Sequence, residues 1–184
     1  MWILVTVLVV VALLAIYLIA AYNGLIRRRN QIENSWAQID VQLKRRQDLI
    51  PNLVETVKGY AAHEKETLDA VIKARNAAMA APNTPHAQAE ADNALTGVLR
   101  QLFALSEAYP DLKANTNFLA LQEELSSTEG RVAYARQFYN DSVLGYNQKL
   151  EQFPTVFFAR MLGFSKREYF EADEGARVAP TVEF

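Results

Sequence analysis

Two histidines and a scatter of carboxylates are the side chains with which this sequence could do chemistry. His63-Glu64-Lys65-Glu66-Thr67 imitates the opening of a zinc-protease helix, where two imidazoles one turn apart hold the metal. Thr67 stands where the second histidine has to be, and His86 lies in another segment, so both histidines read as solvated surface and no metal is expected. Glu107, Asp111, Glu123, Glu124 and Glu129 could in principle pair for general acid–base work, but a solvated helix face is the plainer reading. The chain has no glycine-rich phosphate loop, no nucleophile elbow and no Glu-x-x-His repeat of the diiron kind. Lacking cysteine, it also has no thiolate nucleophile, iron–sulfur ligand or disulfide, which fits a reducing compartment. We therefore expect no enzymatic activity, no cofactor and no small-molecule substrate. A net charge of −2, with basic residues not interleaved with aromatics, gives no expectation of nucleic-acid binding.

The elements that would carry these residues are helices. Beyond the N-terminal stretch the sequence is rich in Ala, Leu, Glu, Gln, Lys and Arg, with seven Gly and six Pro in 184 residues and no alternating β-branched run. Residues Trp2 to Tyr22 carry no charge and would span about 30 Å as a helix, enough to cross a bilayer. A secretory signal would begin with a basic region and stop its apolar run sooner, so an uncleaved anchor is preferred over processing at Ala20–Ala21. Trp2 and Tyr22 frame the span as interfacial aromatics, and Arg27, Arg28 and Arg29 follow it. The positive-inside bias then places the N-terminus outside and the remainder in the cytoplasm.

After the anchor an apolar seam runs Ile32, Trp36, Ile39, Leu43, Ile50, Leu53, Val57, interrupted by Arg46 and continuing through Leu68 and Val71 to about Ala80. Pro51 either kinks this rod, the reading we favour, or splits it. Arg46 on the seam needs a carboxylate inside the bundle or on another subunit, the first being favoured. Thr84-Pro85 begins a second helix with seam Ala91, Leu95, Val98, Leu102, Leu105, Tyr109, after which polar residues connect onward. Asn115, Thr116 or Asn117 caps a third, whose seam runs from Phe118 through Thr128, Tyr139 and Tyr146 to Phe153 at heptad-like spacing. The expectation is an all-α fold: an antiparallel bundle of three long helices plus a short C-terminal helix, preceded by a transmembrane helix continuous with the first. In domain terms these are an anchor at 1–24, a bundle at 25–170 and a polar tail at 171–184.

Asp40 to Val54, Tyr109-Pro110-Asp111-Leu112-Lys113-Ala114-Asn115, Thr128-Glu129 through Tyr139-Asn140-Asp141, Tyr146-Asn147 and Gly163-Phe164 closely resemble segments of the LemA family. The resemblance covers almost the whole chain and implies a bacterial single-pass membrane protein with a helical bundle, without naming a reaction. The functional expectation is a structural or scaffolding protein that homo-oligomerises or recruits another envelope membrane protein. The alternative is an adaptor of a membrane protease or envelope stress system. Besides the lipid bilayer, contacts are expected through Trp36, Arg46, Phe153, Phe157, Phe158, Met161 and Phe164. The apolar segment 153–164 could cap the bundle, bind a partner or lie in the membrane interface.

Overall fold

The computed structural model describes residues 1–171, so the tail expected at 171–184 lies, Glu171 apart, outside the described residues. These form six helices and, among the described residues, no strand: α1 (Trp2–Lys58), α2 (Lys65–Ala80), α3 (Pro85–Ser106), α4 (Pro110–Lys113), α5 (Thr116–Glu151) and α6 (Thr155–Ala159). The fold is all-α, as the periodicity predicts. The chain divides into two compact units, one of Met1–Trp36 with Phe138–Arg167, the other of Ala37–Gln137 with the residues from Glu168 on.

In the first unit, the start of α1 carries an apolar window of mean hydropathy 3.2, none of it buried by protein. Such a ring of outward Ile, Leu and Val has no counterpart in a water-soluble helix, which keeps one polar face. It fits a membrane anchor. Burial begins at Ala21 and Leu25 and continues at Ile32, where the end of α5 supplies Tyr139, Val143, Tyr146 and Leu150. Asn147 fixes the segment after α6: its side-chain amide donates to the Arg167 carbonyl at 3.0 Å, and its carbonyl oxygen accepts from the Arg167 amide at 2.9 Å.

In the second unit, Ile50, Leu53 and Val57 of α1 share a core with Leu68 and Val71 of α2, Leu95, Leu99 and Leu102 of α3, and Phe118 and Leu125 of α5. Each such side chain contributes roughly 1.5–3 kcal/mol through removal from water. Pro51 lies inside α1 and does not split it. A proline there has no amide hydrogen for the carbonyl four residues back, that of Gln47. Arg75 of α2 takes over, its Nε donating to the Gln47 oxygen at 2.8 Å.

The expected continuation of the first helix to Ala80 is corrected: α1 ends at Lys58 and α2 starts at Lys65. Gly59, the poorest helix former after proline, stands at the break. The Tyr60 and Ala61 amides both turn back onto the Val57 carbonyl, at 3.0 and 2.8 Å. From across the unit Tyr109 donates to Glu64 at 2.8 Å, and Asn115 donates to the Tyr60 hydroxyl at 2.9 Å. Thr84 and Asn115 are the side-chain caps of α3 and α5, accepting from the Ala87 and Phe118 amides. The connector expected to be merely polar instead contains α4, whose Leu112 is wholly buried.

The proline–arginine assignment yields a double-mutant cycle. Arg75→Ala should cost about 1–3 kcal/mol by stranding a partly buried carbonyl. In a Pro51→Ala background the restored amide reclaims that carbonyl, so the same substitution should cost distinctly less. Urea unfolding of the four proteins in detergent, followed by circular dichroism, reads the coupling, and equal costs in both backgrounds would refute it.

Candidate functional site: membrane face and buried ion network

At the end of the apolar stretch, α1 presents Tyr17 and Tyr22 to the C-terminal segment. The Tyr17 and Phe158 rings meet edge-on at 6.3 Å, those of Tyr22 and Phe164 at 5.5 Å. Gly163 makes the turn this requires: with φ at 79° it adopts the left-handed conformation, and the Phe164 amide reaches the Ala159 carbonyl at 3.0 Å. Phe164 is thereby buried, so this expected contact residue is spent inside the unit. Phe153, placed by the heptad pattern on the buried seam, is instead 80% exposed, because α5 stops at Glu151 ahead of Pro154. Phe157 and Met161 are 71% and 86% exposed, so these side chains cap nothing. With Leu18, Ile19 and Tyr22, the residues Phe158, Met161 and Leu162 line an apolar cleft of 310 Å³.

On a neighbouring face of α1 a second cleft, of 500 Å³, is lined by Tyr17, Ala20, Ala21 and Gly24 toward the apolar stretch and by Arg27, Arg28 and Lys149 beyond it. Arg29 belongs to a different set, facing Glu33 at 4.0 Å, which in turn faces Arg167 at 3.6 Å. Nearby Tyr146 is buried, and loss of hydration raises its hydroxyl pKa against the opposing pull of Arg167 and Arg29. Trp36 is half-buried, its ring 5.6 Å from that of Tyr139. Trp2, the other expected frame of the span, is exposed at the start of α1.

The second unit holds the answer to the charge on the seam. Arg46 and Asp92 are 2% and 6% exposed and meet at 2.7 Å. Glu129 of α5 lies 3.8 Å from Arg46 on one side and 3.5 Å from Arg100 on the other. Arg45 pairs with Glu124, which lies earlier in α5 than Glu129. Burial raises the Asp92 pKa more than Arg46 and Arg136 lower it. Asp92 escaped the sequence reading because the seam of α3 was traced through apolar residues alone. Its buried face runs Asp92, Leu95, Leu99, Leu102 and Ser106, three- and four-residue steps in which the acid is the position that Arg46 demands.

The residues first considered for chemistry lie apart. His63 sits exposed in the turn between α1 and α2, and His86 contacts Glu90 at 3.3 Å and the Glu171 carbonyl at 3.2 Å. Among the described residues no three acids or histidines converge as metal ligands. Glu107 pairs with Lys113 at 2.5 Å, and Glu124 and Glu129 face arginines, so these acids are balanced by cations and not by one another. Asp111 lies exposed in the first turn of α4, while Glu123 lines a 520 Å³ cleft beside Arg46 and Arg100. A further groove of this unit, of 620 Å³, lies between α1 and α5, with Ala37, Val41 and Gln42 on one wall and Gly130, Arg131 and Tyr134 on the other.

The buried pair makes a signed prediction. Arg46→Met should destabilise by about 3 kcal/mol or more at neutral pH, since it strands Asp92 in the core. An acid whose folded-state pKa is raised binds its proton more tightly folded than unfolded. Its penalty is therefore full above the folded pKa and relieved as pH falls toward the ordinary carboxylate range near about 4. The gap between wild type and Arg46→Met should accordingly shrink on acidification, and Arg46→Met with Asp92→Leu should recover most of the loss. Thermal melts of the full chain across this pH range decide it; a gap that widens in acid contradicts the assignment.

The chain is 28% identical over 156 residues to the Protein LemA of Metamycoplasma hominis, covering 85% of this chain and 71% of that one. It is 25% identical over 192 residues to the magnetosome protein MamQ 2 of Paramagnetospirillum magneticum, covering 91% and 70%. To the magnetosome protein MamQ of Magnetospirillum gryphiswaldense it is 24% identical over 178 residues, covering 83% and 65%. None of these names denotes a reaction. The LemA family profile matches residues 35–184, most of the chain and the whole of the α1–α5 groove and its ion network, and the chain belongs to the LemA family.

Proposed function

We propose that this protein is a non-enzymatic, membrane-anchored scaffold that works by associating with further copies of itself. The groove between α1 and α5 carries this reading. Tyr134 stands 74% exposed on its rim, while Ala37 and Gly130 leave its floor shallow. A two-fold interface needs one patch to offer both knob and hole, and this face offers both. Val41, also exposed, adds apolar surface that an isolated soluble helix pair would keep polar. The span of residues 2–22 holds the chain in the membrane. Arg27, Arg28 and Arg29, placed just after a segment whose N-terminus bears no Lys or Arg, support a cytoplasmic bundle. A bacterial inner-membrane location is part of this proposal, and the relatives that the chain resembles are bacterial.

Photo-crosslinkers at Val41 and Tyr134 of the full chain in native membranes, with mass spectrometry of the products, test the reading. Self-links at both positions are expected. Gly130→Leu, whose added side chain meets open space and fills the groove, should reduce them several-fold without loss of helicity. Links mainly to one foreign membrane protein would make the chain that protein's adaptor, and a monomer with no links would remove the scaffold. A reporter fused at Phe184 should be active only in a cytoplasmic form.

A further inference from the structure

We propose that the cleft where α1 leaves its apolar stretch binds the phosphate of an anionic phospholipid, with Arg27, Arg28 and Lys149 as its ligands. This rests on the membrane-anchored reading above. Between Tyr17 and Arg28 the lining of the cleft changes from apolar to cationic over about 16 Å of helix, matching the passage from acyl chain to headgroup. Ala20 and Gly24 keep the α1 wall low.

Charge balance sets these three cations apart from Arg29, Arg167 and Lys166, and the cleft lining sets them apart from Arg160. Arg29 and Arg167 both face Glu33, and Lys166 pairs with Glu151. Neither Arg27 nor Arg28 forms an ion pair among the described residues, and the Lys149 ammonium meets only the neutral Gln152 amide oxygen, at 3.3 Å. Arg27 and Arg28 come from the membrane exit of α1 while Lys149 comes from the last turn of α5, so the fold converges them from opposite ends of the sequence. Gly145 on α5 makes room for this convergence: a Cβ there would lie 2.9 Å from Arg28 Nη1. Three uncompensated cations in one concave site favour a dianionic or monoanionic phosphate group. The neighbouring cleft of Leu18, Tyr22, Phe158 and Met161, with Phe157 exposed beside it, sets this end of the unit at acyl-chain depth, so the phosphate it meets belongs to a lipid.

The test is native mass spectrometry of the full chain in mild detergent, supplied with equal phosphatidylglycerol and phosphatidylcholine. Wild type should retain phosphatidylglycerol in preference. Arg28→Gln and Lys149→Gln should each lower that retention about fivefold. Arg160→Gln, an equal loss of charge outside the cleft, should lower it by a much smaller factor. No preference between the lipids, or an equal loss in Arg160→Gln, overturns the site. Excess inorganic phosphate that displaces the lipid and remains bound assigns the cleft to free phosphate and overturns the lipid reading. Carbonate extraction separates the premise from the proposal: a full-length chain released into the soluble fraction defeats the anchor itself, whatever lipid it retains.

Discussion

An α-helix satisfies its own backbone but not its side chains. The first turns of α1 carry Ile, Leu and Val outward on every side, with no protein around them. Left in water, that surface would cost roughly 25 cal/mol for each Å² exposed. Lipid removes the cost, and only a helix or a closed barrel can stand in lipid without stranding backbone groups. Whatever packs against the end of this stretch inherits its depth. Tyr17 and Tyr22 bring Phe158 and Phe164 with them, so the C-terminal segment is held beside the end of the apolar stretch. The exposure of Phe157 and Met161, anomalous on a soluble protein, is then in keeping with its surroundings.

Further along, α1 breaks two rules of helix design, and each breach is answered by a side chain from another helix. Pro51 frees the Gln47 carbonyl, and Arg75 of α2 takes it. Arg46 puts a charge on the buried seam, and Asp92 of α3 with Glu129 of α5 receives it. A hydrophobic pair at 46 and 92 could have packed as stably. Unlike an apolar contact, the 2.7 Å ion pair requires α3 to turn Asp92 toward α1. The ion pair therefore selects how α3 presents itself to α1, while Ile50, Leu53, Leu95 and Leu102 supply the stabilisation.

Local signals made much of this architecture legible. The uncharged span, the Thr84-Pro85 cap, the Asn115 cap and the Thr128-to-Leu150 seam all act within a turn or two of sequence, and each is found where the spacing puts it. The errors arose where a distant group decided the outcome. Gly59 was a local sign of the end of α1 at Lys58, whereas the hydrogen bonds of Tyr109 and Asn115 to Glu64 and Tyr60, which hold the turn, come from outside residues 32–80. Phe153 continued a heptad past the point where Pro154 ends it. Asp92 was legible in principle, since a cation on one seam requires an anion on another, but a seam traced through apolar residues alone passes it by. The clefts were not legible at all, because concavity depends on which helices meet.

The family match begins at Ser35, beyond the apolar span, so the family assignment is carried by the bundle. That stretch contains the groove of Ala37, Val41, Gly130 and Tyr134 and the Arg46–Asp92 pair. The cationic cleft is assembled differently, from Arg27 and Arg28 before the matched stretch and Lys149 within it. The two surfaces share no residue, and their chemistries differ: small apolar side chains with an aromatic knob in one, unpaired cations beside an apolar wall in the other. Arg45 and Arg46 are paired with carboxylates within the fold, whereas Arg27 and Arg28, with Lys149 of α5, line the cleft at the end of the apolar stretch, so the cations of α1 are put to two different uses.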